Sequence, residues 1–404
     1  MNDLDVKEPP GYPMRKSCPF DPPPALLDLS RQAPVTRVKL WDGSHPWIVS
    51  RHDDVRALLR DPRVSADCTL PGYPDTTASA ATRRKKIRNF MNMDGEEHAT
   101  QRKALTAQFT VRRAESLRPR IQEITDALVD AMLAGPRPVD LVETLSLPVP
   151  SVLISEILGV PYRDRAFFQE VTRTIVSHLT TADQQIRASE ELLGYLRDLV
   201  DRKAAEPAGD LVSRLVAESA ETGRMTREQV AALAMIVLQA GHETTANMIS
   251  LGTVVLLGNP DQLRALQAAD DPALLENAVE ELLRYLTIPH RGRRRVALED
   301  LEIGGQLIRK GEGVIALIDV ANRDESVFPH ADAFDIARGS RRHVAFGFGA
   351  HQCLGQSVAR VELQVVYRTL FRRIPALRLA VPAEELVFRT EGTVYGLESL
   401  PVTW

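Results

Sequence analysis

Hydrophobic and polar positions divide this chain into an alternating N-terminal stretch and a long, mostly helical remainder. Apolar and polar residues alternate along Val35-Thr-Arg-Val-Lys-Leu-Trp41, Asp42-Gly43 follows, and Pro46-Trp-Ile-Val-Ser50 alternates again. An Asp-Gly between two period-two runs predicts a β-hairpin. Asp53 to Arg60 reads as a short helix stopped at Asp61-Pro62, and residues 61–93 read as an irregular segment of the functional or mobile kind. Helical periods then cover Leu117–Leu133, Pro148–Leu158, Arg165–Thr180, Ala188–Ala204 and Gly209–Ala220. Gly135-Pro136, Gly159-Val-Pro161, Glu206-Pro207 and Gly223 punctuate them. The longest period runs from Thr226 to Leu257, where Val230, Leu233, Val237, Ala240, Thr244, Met248, Leu251 and Val255 step by three and four. Gly258-Asn-Pro260 ends it. Asp271-Pro272 predicts an N-cap and first turn for a helix reaching Tyr285. Short strands flank Gly304-Gly305, a long amphipathic segment reaches about Arg373, and the last residues alternate. The expected class is mainly α with small β-sheets (α+β).

Composition narrows the picture. The 404 residues contain 44% hydrophobic positions, enough for a large core, and nothing in the middle resembles a linker. One domain over residues 1–404 is expected, with a proline-rich arm at 1–24. A net charge of −4 argues against nucleic acid as a partner. Cys18, Cys68 and Cys353 have no paired spacing, so neither a disulfide framework nor a zinc site is expected, and a reducing cytoplasm fits. Met1 to Pro24 has no apolar run, and no later run reaches spanning length without charge. The expectation is a soluble, cytoplasmic protein with no membrane partner.

Chemistry shows where local preference is broken. Ala240-Gly-His-Glu-Thr-Thr245 puts a glycine in mid-helix, which costs about 1 kcal/mol relative to alanine, beside two threonines. Clustered violations of this kind mark function or strain. His98 and Arg102, four apart, project from one helix face and suit a paired anion, or simply a solvated face. Glu281-Leu-Leu-Arg284 is an i,i+3 ion pair of a common type. The run His343-Val-Ala-Phe-Gly-Phe-Gly-Ala-His-Gln-Cys-Leu-Gly355 places a lone cysteine where a glycine-broken extended stretch becomes a helix. Gly347, Gly349 and Gly355 offer backbone freedom and clearance for a flat ligand. A helix start lowers a thiol's pKa, favouring thiolate at Cys353. A buried small hydrophobe is the plain alternative. A nucleophile with His351 as base is another, though a base two residues away is poorly placed.

The string Phe346-x-x-Gly349-x-His351-x-Cys353-x-Gly355 resembles the cysteine-ligand loop of cytochromes P450. Other landmarks follow in the same order, so the resemblance covers essentially the whole chain, closest to soluble actinobacterial members. It implies the cytochrome P450 fold, haem b (iron protoporphyrin IX) with Cys353 as axial iron ligand, and residues 226–257 as the oxygen-binding helix. Ala240 and Gly241 would pass close over the iron, with Phe346, Gly347 and Gly355 along the cysteine loop at 343–355. Glu243 and Thr244 match the family's acid–alcohol proton relay. His98, Arg102, Arg295 and His351 match its propionate anchors. Glu281, Arg284 and Arg338 match a structural network supporting the haem loop.

The implied reaction inserts one oxygen atom from O2 into a C–H bond or alkene of a small organic molecule. Electrons would come from NAD(P)H through a ferredoxin reductase and a ferredoxin, since the chain has no Gly-x-Gly-x-x-Gly after a strand and no iron–sulfur cysteine set. Arg102, Lys103, Arg112, Arg113 and Arg360 are the candidate docking charges. The basic run Arg83-Arg-Lys-Lys86 reads as a solvated face or a redox-partner or substrate contact. His290-Arg291 hints at a polar or anionic substrate or faces solvent. Segments 67–92, 177–184, 287–291 and 392–397 would shape the pocket. A nitric oxide reductase or peroxygenase of the haem-thiolate type, or a non-catalytic haem protein, are the alternatives; an intact Glu243–Thr244 pair argues against both.

Overall fold

The structure is a computed structural model that describes residues 8–78, 81, 89–176, 181–389 and 394–404. The basic run at 83–86, part of the turn at 177–184 and the start of the segment at 392–397 lie outside the described residues. The chain forms two compact units, Met1–His98 with Glu280–Cys353 and Ala99–Val279 with Leu354–Trp404. Helices dominate and the sheets are small, as the sequence predicts.

The first unit is built on a five-stranded sheet. Val35–Arg37, Trp47–Val49, Gly313–Ala316, Arg293–Ala297 and Val64–Ser65 lie side by side in that order. The predicted hairpin pairs Val35 with Val49 and Arg37 with Trp47, and Gly43 in its loop has a φ of 81°. Val64–Ser65 falls in a stretch expected to be irregular. It is a two-residue edge strand on Arg293–Ala297, too short to show an alternating pattern in sequence. Strand alternation sends side chains to two cores. Val49, Val314 and Ala316 face one cluster with Val55, Leu58, Val344 and, at its edge, Phe348. Ile48, Ile315 and Leu317 face another with Tyr12, Leu26 and Leu40. Helix His52–Arg60 lies on the first cluster with Val55, Leu58 and Leu59 buried, which places it against the stretch leading to Cys353.

The second unit is helical, with Val111–Ala134, Pro148–Leu158, Arg165–Val176, Ala182–Ala205, Leu211–Thr222, Arg227–Leu257, Pro260–Ala268 and Gln356–Arg373. The first of these starts six residues before the predicted Leu117 because Thr110 caps it, accepting from Arg113 N. Thr181 likewise caps Ala182–Ala205 through a reciprocal capping box with Gln184, which moves that helix start ahead of the predicted Ala188. Arg227–Leu257 is held at its start by the same device between Thr226 and Gln229. Its burial is broader than the predicted stripe: Ala231, Ala234, Ile236, Leu238, Ile249 and Ser250 are buried as well as Val230, Leu233 and Val237. A helix packed on all sides is a central one. Tyr367 on Gln356–Arg373 donates its hydroxyl to the Met248 carbonyl (2.6 Å), pinning the two helices together.

On the same helix as Tyr367, Glu362 is buried, and its Oε1 has no hydrogen-bond partner among the described residues. Burial alone pushes its carboxyl up from 4.5 to about 8. The folded protein therefore holds a proton that the unfolded chain releases above pH 4.5, and the sign follows by linkage: stability falls as pH rises from 4.5 toward 8. Glu362→Gln removes that dependence. Denaturant unfolding should show wild type losing stability relative to the variant by about 1.4 kcal/mol per pH unit across this window; parallel curves for the two proteins would contradict a neutral, buried Glu362.

Candidate functional site

In the first unit, the cysteine loop is shaped by its own backbone. Gly347 N donates to the Val344 carbonyl (2.8 Å), Gln352 N to Gly349 (3.0 Å) and Cys353 N to Phe346 (2.8 Å). Gly347 and Gly349 have φ of 72° and 73°, a region costly for other residues. A methyl on Gly349 would also overlap the Leu59 carbonyl at the end of helix His52–Arg60, so this glycine fixes how closely the loop rests there. Gly355 differs from expectation in its backbone: its φ is −79°, ordinary for any residue, and it serves as the cap of Gln356–Arg373. Cys353 thus lies three residues ahead of that helix. The Arg56 guanidinium sits 4.5 Å over the Phe348 ring and covers the loop's outer side.

The expected anion-binding groups come from a helix, the loop and a strand. His98 and Arg102 lie one turn apart on helix Gly95–Thr106. The His98 and His351 rings are 4.2 Å apart. His351 Nε2 is 2.9 Å from Asp94 Oδ1. Burial works against ionisation of Asp94, but hydrogen bonds with His351, Ser65 and Ala66 N hold its carboxyl well below the usual range. His351 thereby has one nitrogen committed to a protein carboxylate, which leaves Nδ1 for any other partner.

Arg295 and Arg293, two apart on strand Arg293–Ala297, share a face by alternation. Arg295 is buried, which lowers it to about 10, and it donates to the Arg294 carbonyl (2.8 Å). Burial lowers Arg293 too, and the nearby Cys353 opposes that fall. Neither guanidinium forms an ion pair among the described residues. Arg293 was not singled out in the sequence; its place on the Arg295 face was the available signal. His290 and Arg291 sit in the turn before this strand, partly buried.

Beneath the loop, Arg284 is fully buried and bidentate on Glu281 (Nε to Oε2 2.8 Å, Nη2 to Oε1 2.7 Å). Its remaining donors reach the carbonyls of Asn322 (2.9 Å), Ala331 (2.8 Å) and Ala333 (3.2 Å). Glu281 also accepts from Arg338 Nε (3.2 Å), Asp335 N (3.0 Å) and Ser340 Oγ. The three residues expected to form a network do meet. Asn322, which sequence reading did not single out as a site residue, links it onward: its Oδ1 accepts from Val344 N (2.8 Å), at the root of the cysteine loop, and its Nδ2 donates to Thr287 Oγ1 (2.8 Å).

In the second unit, the central helix has an unburied window. Turns on either side are buried, yet Ala240 is exposed and Gly241, Glu243 and Thr244 are only partly covered. Gly241 faces Ile154, where a methyl would come within 3.3 Å of its Cδ1. Thr244 Oγ1 donates to the Ala240 carbonyl (2.8 Å). Burial raises the Glu243 carboxyl, and Arg389, whose Nη1 is 3.5 Å away, opposes that rise. Of the candidate docking charges, Lys103, Arg112 and Arg113 are exposed, and Arg102 and Arg360 are partly buried.

Within the first unit these groups suit an iron porphyrin: a thiol for the metal and, on one strand face, two guanidiniums that form no ion pair among the described residues for its acid groups. Comparison with known proteins agrees. The pattern that defines the family described as Cytochrome P450 matches residues 31–211 and 200–376. The chain is 51% identical to cytochrome P450-SU2 of Streptomyces griseolus over 96% of its length and 94% of that protein. It is 44% identical to a vitamin D3 dihydroxylase of Streptomyces griseolus, covering 98% of this chain and 97% of the other. The crystal structure of GfsF, a cytochrome P450 of Streptomyces halstedii, superposes with a TM-score of 0.94 at 47% identity, covering 98% of this chain and 100% of GfsF.

Removing one partner of the buried pair tests the support beneath the loop. Glu281→Gln leaves the Arg284 guanidinium uncompensated and should cost about 3–5 kcal/mol, read by denaturant unfolding. Arg284→Lys, with a point charge in place of a planar fork, should not rescue it. A loss below about 1 kcal/mol, typical of exposed pairs, would mean that water reaches the pair.

Proposed function

Because this chain belongs to the cytochrome P450 family, a monooxygenase with haem iron as its cofactor and a small organic molecule as its substrate, we propose that Cys353 is the iron ligand and that Glu243 and Thr244 deliver protons. Bound haem supplies activation of O2, with one atom passing to a C–H bond or alkene and the other leaving as water. The protein's own work is to hold, orient and protonate. Arg295, with His98, Arg102 and His351, anchors the propionates; Ala240 and Gly241 give clearance on the helix side; Phe346, Gly347 and Gly355 do so on the cysteine side. Glu281, Arg284 and Arg338 keep the loop in register. The chain is read as one catalytic domain, which a family match reaching from residue 31 to 376 supports.

The observation that carries this reading is the helix window. In a helix buried along most of its length, an acid and an alcohol stand side by side next to Ala240 and Gly241. A carboxyl exchanges a proton with solvent, and a hydroxyl passes one on. Hydroxylation of a bulky secondary metabolite or drug-like compound is the proposed activity, supported by the similarity to a vitamin D3 dihydroxylase. The electron donor is proposed to be a ferredoxin, reduced by NAD(P)H through its reductase, docking at Lys103, Arg112, Arg113 and Arg360. Exposure of three of these side chains supports that face. A reducing, cytoplasmic setting accords with cysteines that form no disulfide among the described residues. Among the described residues, no helix is long and apolar enough to cross a membrane.

Two experiments test it. Cys353→Ala should abolish oxygenation and change the Soret band of any haem retained, while the far-ultraviolet dichroism stays that of the folded chain. Thr244→Ala should leave haem and substrate binding in place and lower the share of electrons recovered in product about tenfold or more. Full coupling in Thr244→Ala would remove it from the relay. Spectral titration with macrolides, polyketides and aromatic acids then identifies the substrate class by a shift of the Soret band to shorter wavelength.

A further inference from the structure

The relay acid has a partner outside the helix. The hairpin Phe388–Arg389 and Gly396–Leu397 lies against the central helix, with Arg389 paired to Gly396. From it, Arg389 Nη1 reaches Glu243 Oε1 at 3.5 Å, and its Nη2 donates to Asn247 Oδ1. Glu243 and Asn247 are four residues apart, so one guanidinium spans a full turn of the helix on one face. The approach is built in. A methyl on Gly396 would overlap the Asn247 side chain and stand 2.7 Å from Arg389 Nη2, so only glycine lets the strand come this close. The Phe388 and Tyr395 rings stack at 5.9 Å beside the pair and hold the strand register. The side chains of Arg389 and Glu243 are 9% and 21% exposed, so water screens the pair little.

We propose that Arg389 is a positioning residue for proton delivery, clamping the Glu243 carboxylate and Asn247 so that the acid stays aimed along the helix. The idea rests on the assignment of Glu243 to the relay. Arg389 is the only charged group whose field acts appreciably on Glu243 among the described residues, and Glu398 acts on Arg389 in turn. Burial raises the acid and the guanidinium restrains it. An opposite charge at this distance favours the carboxylate, the form that takes up the next proton. The step moves protons only: the carboxylate takes one from solvent water and releases one toward Thr244, so it is regenerated, and no electrons pass through it.

The test uses the haem-loaded enzyme carrying Arg389→Met or Arg389→Lys. The Glu243 carboxyl is titrated by infrared difference spectroscopy against Glu243→Gln, and product coupling is followed against pH. In Arg389→Met the carboxyl midpoint should move up by at least about one pH unit, the low end of what an adjacent opposite charge exerts. The acid limb of the coupling profile should move with it, Arg389→Lys should restore most of both, and Arg389→Met should add nothing in a Glu243→Gln background. A midpoint unmoved in Arg389→Met overturns the clamp. A midpoint that moves while the coupling profile stays fixed overturns Glu243 as the relay acid instead. Asn247→Ala, which leaves both charges in place, keeps the proposal open to refutation if Arg389→Met does not fold: it should loosen the clamp and give a smaller shift of the same sign, and no shift counts against it.

Discussion

A single guanidinium, fully enclosed, organises the ground under the cysteine loop. Arg284 has five N–H donors, and five acceptors meet them: both oxygens of Glu281 and the carbonyls of Asn322, Ala331 and Ala333. Burying such an ion costs several kcal/mol unless every donor is satisfied. The segment from Asn322 to Ala333 is therefore confined to a shape that brings three carbonyls to one point. Because Asn322 also holds Val344 N, that confinement passes by one side chain into the stretch that presents Cys353. The net stability of the pair is of less consequence than its demand for a single arrangement.

The same economy appears on the other side of the loop. Asp94 accepts from Ser65 Oγ, Ala66 N (2.8 Å) and Asp67 N (3.1 Å) while meeting His351. It lies one residue before helix Gly95–Thr106, so the helix that carries His98 is tied at its start to the sheet edge at Ser65. The short edge strand that looked irregular in sequence is what supplies that anchor.

Much of this was legible in the chain itself. The central helix, the Asp42-Gly43 hairpin and the Glu281–Arg284 pair stand in patterns that period and spacing reveal, and the cysteine loop stands in a motif. What escaped was non-local. Asn322 and Arg389 act through residues 22 and 142 positions away, respectively, and no period marks such partners. The strand at Val64–Ser65 was too short for alternation to register. Helix starts at Val111 and Ala182 were set by threonine caps rather than by the apolar repeat. Gly355 was grouped with the positive-φ glycines of its loop, though its own backbone is ordinary. Residue type alone does not tell a glycine that turns from one that caps.

Thr244 brings one further consequence. A hydroxyl has a single proton, and here it is given to the Ala240 carbonyl. In that rotamer the oxygen offers only lone pairs to its surroundings, so it can receive a proton but not donate one. To donate outward, the side chain must let go of the backbone, and the Ala240 carbonyl then gives up that bond. The threonine is in this sense a two-position rotor, and the backbone bond sets the cost of its second position.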